Sequence, residues 1–115
     1  MISNEEILKK QLSALGMCMR AGKLLLGPDL ICKEMRRTFG GSGENGVALV
    51  VEASDTSENT HKKLSDKCAY YGVELIRLSA DMGRLSGALG KIRSVAAVAI
   101  TDKNLCRLFL SQGEG

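Results

Sequence analysis

The sequence predicts an α/β domain with helices on both faces of a small sheet. Three observations carry that reading. Helical and strand patterns alternate in the order α-β-α-β-α-β-α-β-α, with short connections between them. Two runs, VALVV (47–51) and VAAVAIT (95–101), are almost wholly apolar instead of alternating, as central strands covered on both faces are. The chain has 115 residues, 44% of them apolar, which suits one domain with one core, and no repeat or long linker divides it.

The first helix opens at Ser3-Asn4-Glu5-Glu6, a capping residue followed by early acids. Ile7, Leu8, Leu12, Leu15 and Cys18 or Met19 then recur at helical spacing, and Arg20-Ala21-Gly22-Lys23 ends it. Leu24 to Leu26 reads as a short strand closed by Gly27. Pro28-Asp29 opens the second helix, because proline suits the first turn and an acid suits the positive end of the helix dipole. Its apolar side is Leu30, Ile31, Cys32 and Met35, with Lys33, Arg36 and Arg37 on or near the other side. FGGSGENG (39–46) is a loop and Val47 to Val51 a buried strand. The third helix runs from Ser57 to Tyr71, with Leu64, Cys68 and Tyr71 on one side and Gly72 as its stop. Val73 to Leu78 is a strand, Asp81 to Leu89 a short helix closed by Gly90, and Val95 to Thr101 the last strand. Asp102 starts a final helix through Leu110.

The formal charge is +3, which permits an anionic partner without demanding one. Two Tyr, two Phe and no Trp argue against recognition of nucleic acid by aromatic platforms. The four cysteines are widely spaced, form no CxxC pair and sit in apolar patterns, so they read as free thiols in a reducing compartment. The N-terminus lacks the basic-then-apolar order of a signal peptide, and no apolar run approaches the ~20 residues of a membrane span. The expected location is the cytoplasm.

Local motifs for enzyme chemistry fail on context. GSGENG (41–46) matches GxGxxG but follows a helix and precedes a strand, the reverse of a dinucleotide site. Gly90-Lys91 is followed by Ile92, where a phosphate loop needs a hydroxyl. His61 is the sole histidine and reads as a solvated helix residue. The hydroxyls and acids of Ser54 to Thr60 read mainly as helix capping, which leaves Glu52 and Asp55 as a carboxylate pair at the C-terminal edge of a strand, the place where α/β sheets bind ligands. A small hydrolase using these two carboxylates is the weakest of three readings, since it has no nucleophile or metal set. The cations carry more. Lys33 and Arg37 share a helix face, and Lys91 and Arg93 precede the last strand, near Gly27 and Gly90, where a backbone can approach phosphate closely.

Over RAGKLLLGPDLICKEMR (20–36), VALVVEASDTSENTHKKLSDKCAYYGVEL (47–75) and LSGALGKIRSVAAVAITD (85–102), the chain resembles the ribosomal-protein superfamily of archaeal L-seven-Ae and eukaryotic L-thirty-e, which are kink-turn RNA binders. It is nearest the bacterial YlxQ-type branch, and the resemblance covers about Leu12 to Leu110. It implies a three-layer α/β/α sandwich around a mixed four-stranded sheet, and a non-enzymatic RNA-binding protein without cofactor. It also implies RNA contacts at the start of the second helix and in the loop before the last strand. The family pattern Gly-Thr-Asn-Glu-x-x-Lys, with a basic residue one turn on, is matched here at Gly27, Lys33 and Arg37. Asp29 and Leu30 stand where the asparagine and glutamate would contact the sheared G·A pairs.

Asp29 lacks an amide donor and Leu30 cannot accept a hydrogen bond. RNA binding is therefore carried over and kink-turn specificity is not. In the second region Ser86 replaces a family glycine, and Lys91, Ile92, Arg93 and Ser94 form the expected RNA-contacting loop, with Ile92 as an apolar contact. Glu52 and its neighbours would sit beside that surface without being catalytic, and the inserted GGSGENG would lie away from it. The leading expectation is thus one RNA-binding domain over 1–115, ribosome-associated or bound to another structured RNA, with no DNA or membrane partner, and monomeric when free. The alternative is a protein-interaction module on the same fold, with Leu30 exposed and RNA affinity reduced or lost.

Overall fold

The computed structural model describes residues 3–38, 46–90 and 94–112. Its elements follow the expected alternation: α1 (Asn4–Arg20), β1 (Leu24–Leu26), α2 (Pro28–Thr38), β2 (Leu49–Glu52), α3 (Glu58–Tyr71), β3 (Glu74–Arg77), α4 (Met82–Ala88), β4 (Ala97–Ile100) and α5 (Lys103–Gln112). The expected caps form. Ser3 accepts from the Glu6 N–H, Ser57 from the Thr60 N–H and Asp81 from the Arg84 N–H, each satisfying an otherwise orphaned donor of a first turn. Asp102 Oδ1 accepts from the Leu105 N–H at 3.0 Å and does the same for α5. The residues 39–45 of the expected loop, and with them most of the inserted GGSGENG, lie outside the described residues.

The strands form one mixed sheet in the order β1-β4-β2-β3. β4 runs antiparallel to both β1 and β2, and β2 runs parallel to β3. The two continuous apolar runs supply the central strands, and every residue of β2 and β4 is buried. β1 and β3 are the edges. β3 carries exposed Glu74 and Arg77 at its two ends, charges that discourage pairing with another chain.

Side-chain alternation divides the core in two. Leu49, Val51, Val98 and Ile100 join Leu8, Leu12, Leu15 and Cys18 of α1, Leu85 of α4 and Phe109 of α5 on one face. Val50, Ala97 and Ala99 join Ile31 and Met35 of α2 and Leu64 and Cys68 of α3 on the other. This is a three-layer α/β/α sandwich. The small Ala97 and Ala99 let α2 lie close over β4. Leu30, grouped with the apolar side of α2 from sequence, is instead 46% exposed, because the inward side of this helix is set by Ile31 and Met35.

Candidate nucleic-acid interface

The register places three stretches at one end of the sheet. Leu26 pairs with Val98, Glu52 with Ala97 and also with Arg77, so β1, β2 and β3 all finish where β4 begins. The start of α2, the turn after β2 and the segment before β4 therefore share that edge, the usual ligand-facing edge of an α/β sheet.

At the start of α2, Gly27 adopts a φ of +97°, a conformation that side-chain-bearing residues rarely take. Its N–H donates to the Ala97 carbonyl at 2.9 Å, which fastens the helix start to the beginning of β4. A Cβ built on Gly27 meets no described atom within 4 Å, so backbone conformation, not crowding, requires the glycine. Pro28 occupies the first helical position, where no N–H is needed. Asp29 projects into solvent, its side chain 94% exposed, and its Oδ1 accepts from Lys63 Nζ of α3 at 2.7 Å. That hydrogen bond holds the Asp29 carboxyl below the usual carboxylate range and raises Lys63. Lys33 is exposed, with no ion pair among the described residues. Arg37 is also exposed, but its Nε and Nη2 form a two-pronged pair with Glu34 at 2.8 and 2.6 Å, which lowers Glu34. This pair uses Nε and Nη2 and leaves the Nη1 donors of the guanidinium for another acceptor.

The segment before β4 is anchored from below. Ser86, the departure from the family glycine, is buried, and its Oγ accepts from the Val95 N–H at 2.7 Å. Gly90 closes α4 with a φ of +69°, and Ser94 is exposed. Lys91, Ile92 and Arg93, expected as RNA contacts, lie outside the described residues.

The turn after β2 differs from expectation in three respects. Glu52, placed beside the surface from sequence, has no exposed side-chain area. A carboxylate in the core needs partners. It finds the Thr56 hydroxyl, which donates to Oε2, and His61 Nδ1, which lies 2.8 and 3.0 Å from its two oxygens. Glu52 is therefore corrected from a surface contact to a buried anchor. His61 is likewise not a merely solvated residue, because α3 turns it onto Glu52 while 41% of its side chain stays exposed. Asp55 does not join Glu52 as a pair. Its Oδ1 accepts from the Met82 N–H at 2.8 Å, at the start of α4, so the two carboxylates are committed to different partners. Ser57 alone caps α3.

Arg77 completes this cluster and was not singled out from sequence. It stands beside Glu52 on the same face of the sheet, and its Nη2 donates to the Ser54 carbonyl at 3.0 Å and to Thr56 Oγ1 at 3.5 Å. The available signal was weak: an acid ending an apolar strand, a histidine near the start of the next helix and an arginine ending the strand after it.

The fold and the glycine-led helix start define a class, and comparison with known proteins agrees with it. The model of the ribosomal protein L7Ae/L30e/S12e/Gadd45 family matches residues 9–109, and the chain belongs to this family. Its relatives include the RNA-binding protein YlxQ of Enterococcus faecium, 34% identical over 95 residues, 83% of this chain and 84% of that protein. The protein of the same name from Bacillus subtilis (strain 168) is 34% identical over 99 residues, 84% of this chain and 88% of its own. Among solved structures, a Bacillus halodurans C protein of unknown function superposes with a TM-score of 0.78 at 28% identity, covering 92% of this chain and 98% of that one. The Giardia lamblia 15.5kD RNA binding protein superposes with a TM-score of 0.72 at 17% identity, over 98% and 90% of the two chains, and attests the fold. Among the described residues, no helix is long and apolar enough to cross a membrane.

Proposed function

We propose that this chain is a non-enzymatic RNA-binding protein that docks on a structured RNA, within or beside the ribosome, through the start of α2 and the segment before β4. The observation that carries the reading is the bond from the Gly27 N–H to the Ala97 carbonyl. It joins the start of α2, whose later turns carry Lys33 and Arg37, to the segment that holds Lys91, Ile92, Arg93 and Ser94. Lys33 and Arg37, the latter through the Nη1 edge that Glu34 leaves open, supply phosphate contacts, as do Lys91 and Arg93, while Gly27 and Gly90 leave backbone open to a close approach. Relatives named for RNA binding support the same reading. Asp29 and Leu30 supply neither the amide nor the acceptor that G·A pairs would need, so the recognition proposed here follows shape and phosphate positions.

The test is binding to a kink-turn RNA and to a plain RNA duplex across a salt series. Lys33→Ala is expected to weaken binding and reduce the salt slope by about 0.7–0.9 per lost phosphate contact. Equal binding by wild type and Lys33→Ala would remove this face from the reading. Tight, selective binding to the kink-turn would show that Asp29 and Leu30 are tolerated there. The exposure of Leu30 favours a second reading, a protein partner on the same edge. Association with ribosomal particles that survives nuclease would favour that reading over RNA.

A further inference from the structure

The cluster around Glu52 has no part in the α2 contacts. We propose that Arg77 and His61 form a phosphate subsite, organised by the buried Glu52 carboxylate, that extends the RNA-facing edge across the end of β3. The inference deepens the RNA-binding reading and rests on it for the source of the phosphate.

The geometry is a chain of hydrogen bonds with a buried anion at its centre and two solvent-reaching groups at its ends. Arg77 Nη2 donates to Thr56 Oγ1, whose own proton goes to Glu52 Oε2, and His61 Nδ1 closes the chain on the other side. A hydroxyl can donate and accept at once, so Thr56 can serve both neighbours. A carboxylate only accepts, which fixes the hydrogen of His61 on Nδ1 and leaves Nε2 as the outward nitrogen. In the doubly protonated ring both nitrogens donate, so Nδ1 can hold the carboxylate while Nε2 meets a phosphate oxygen.

Arg77 differs from Arg37 and Arg84 in what holds it. Arg37 is held by Glu34 and Arg84 by Glu5, so each already meets a carboxylate. Arg77 is held by a carbonyl and a hydroxyl, and makes no ion pair among the described residues. Its guanidinium is thus oriented without direct contact to a carboxylate among the described residues, and the donors beyond Nη2 suit a phosphate. The nearby acid of the same turn, Asp55, is bonded to the Met82 N–H on the α4 side. Register keeps Arg77 beside Glu52, so the subsite is contiguous with the edge that carries Gly27 and Ser94.

His61 is the only histidine, so its ring proton signals can be read without assignment ambiguity. The experiment titrates the full chain with inorganic phosphate, following that imidazole by NMR, and measures affinity for the same two RNAs across salt. The wild-type signal should shift saturably. Arg77→Ala should abolish the shift, weaken RNA binding about three- to ten-fold at low salt and reduce the salt slope by about one unit, with Arg77→Lys restoring most of the slope. Lys33→Ala should leave the phosphate response intact. Glu52→Gln should keep a native circular dichroism spectrum and weaken the imidazole response, which a purely structural role would not do. If wild type binds RNA while Arg77→Ala and His61→Gln bind equally well, the subsite is overturned and the RNA reading stands. A saturable, Arg77-dependent phosphate shift in a chain that binds neither RNA keeps the subsite and removes the RNA reading. A silent imidazole with phosphate and with RNA overturns the subsite.

Discussion

Two polar clusters stand on the same edge of the sheet and are anchored in opposite ways. At the start of α2, Asp29 and Lys63 meet at 2.7 Å in open solvent. After β2, Glu52 has no exposed side-chain area and is held by Thr56 and His61. Water and salt can replace the partners of the first pair, so it adjusts charge at the surface without holding the fold. They cannot reach the second carboxylate, so its partners are structural. One geometry, an acid beside a base, thus has different consequences depending on whether the acid is desolvated.

The largest effect that would break this contrast is on stability. Glu52→Ala removes the centre of the buried chain and should lower unfolding free energy by about 2–4 kcal/mol, read from urea midpoints. Asp29→Ala in the same assay should move the midpoint only slightly, through its place in the first turn of α2. A comparable loss in both would mean that desolvation does not separate the clusters. His61→Ala leaves Glu52 with Thr56 alone, yet opens it to solvent from the exposed side of the ring. A smaller loss of about 1–2 kcal/mol is expected, so a loss matching that of Glu52→Ala would show that water does not reach the carboxylate.

Binding should reverse the ranking of the two clusters. Asp29→Asn removes a carboxylate from the proposed phosphate face and frees Lys63. RNA affinity should rise a few-fold at low salt and the salt slope should steepen by about one unit. Lower affinity would mean that Asp29 contacts the RNA directly.

The cysteines sharpen the same point at smaller scale. Burial pushes the Cys18 and Cys68 thiols up to about 11, and raises the half-buried Cys32 and Cys106 as well. Raised thiols stay neutral in the folded state after those of the unfolded chain, near 9.0, have ionised. Stability is then fully present below about pH 9 and declines as pH rises toward 11. Urea midpoints from pH 8 to 10.5 should fall accordingly, and a chain with Cys18 and Cys68 replaced by Ala should lose less across that window.

Much of the architecture was legible because local rules and global packing agree. Ser3, Ser57 and Asp81 cap helices as their positions predict, and the two unbroken apolar runs became the central strands. The glycine and proline before Asp29 marked the start of α2, since each answers a backbone demand at one position. Leu30 was misplaced because periodicity gives the direction of an apolar stripe only to within a residue, and Ile31 with Met35 fixed the side that faces inward. Glu52 and His61 were misread for a different reason. Nine positions apart, they meet only because the turn after β2 brings the first turns of α3 back to the end of that strand.

The sequence by itself determined the order of elements, their caps, the central strands and the family pattern at Gly27, Lys33 and Arg37. The first three depend on backbone preference and on apolar spacing along the chain, and the last is a resemblance between sequences. Only the tertiary structure decided which charges are engaged. It gave Arg37 to Glu34 and Lys63 to Asp29, buried Glu52 between Thr56 and His61, and left Arg77 oriented beside them. The reason is physical: charge pairing and desolvation depend on distance and access to water, and neither is set until the layers pack.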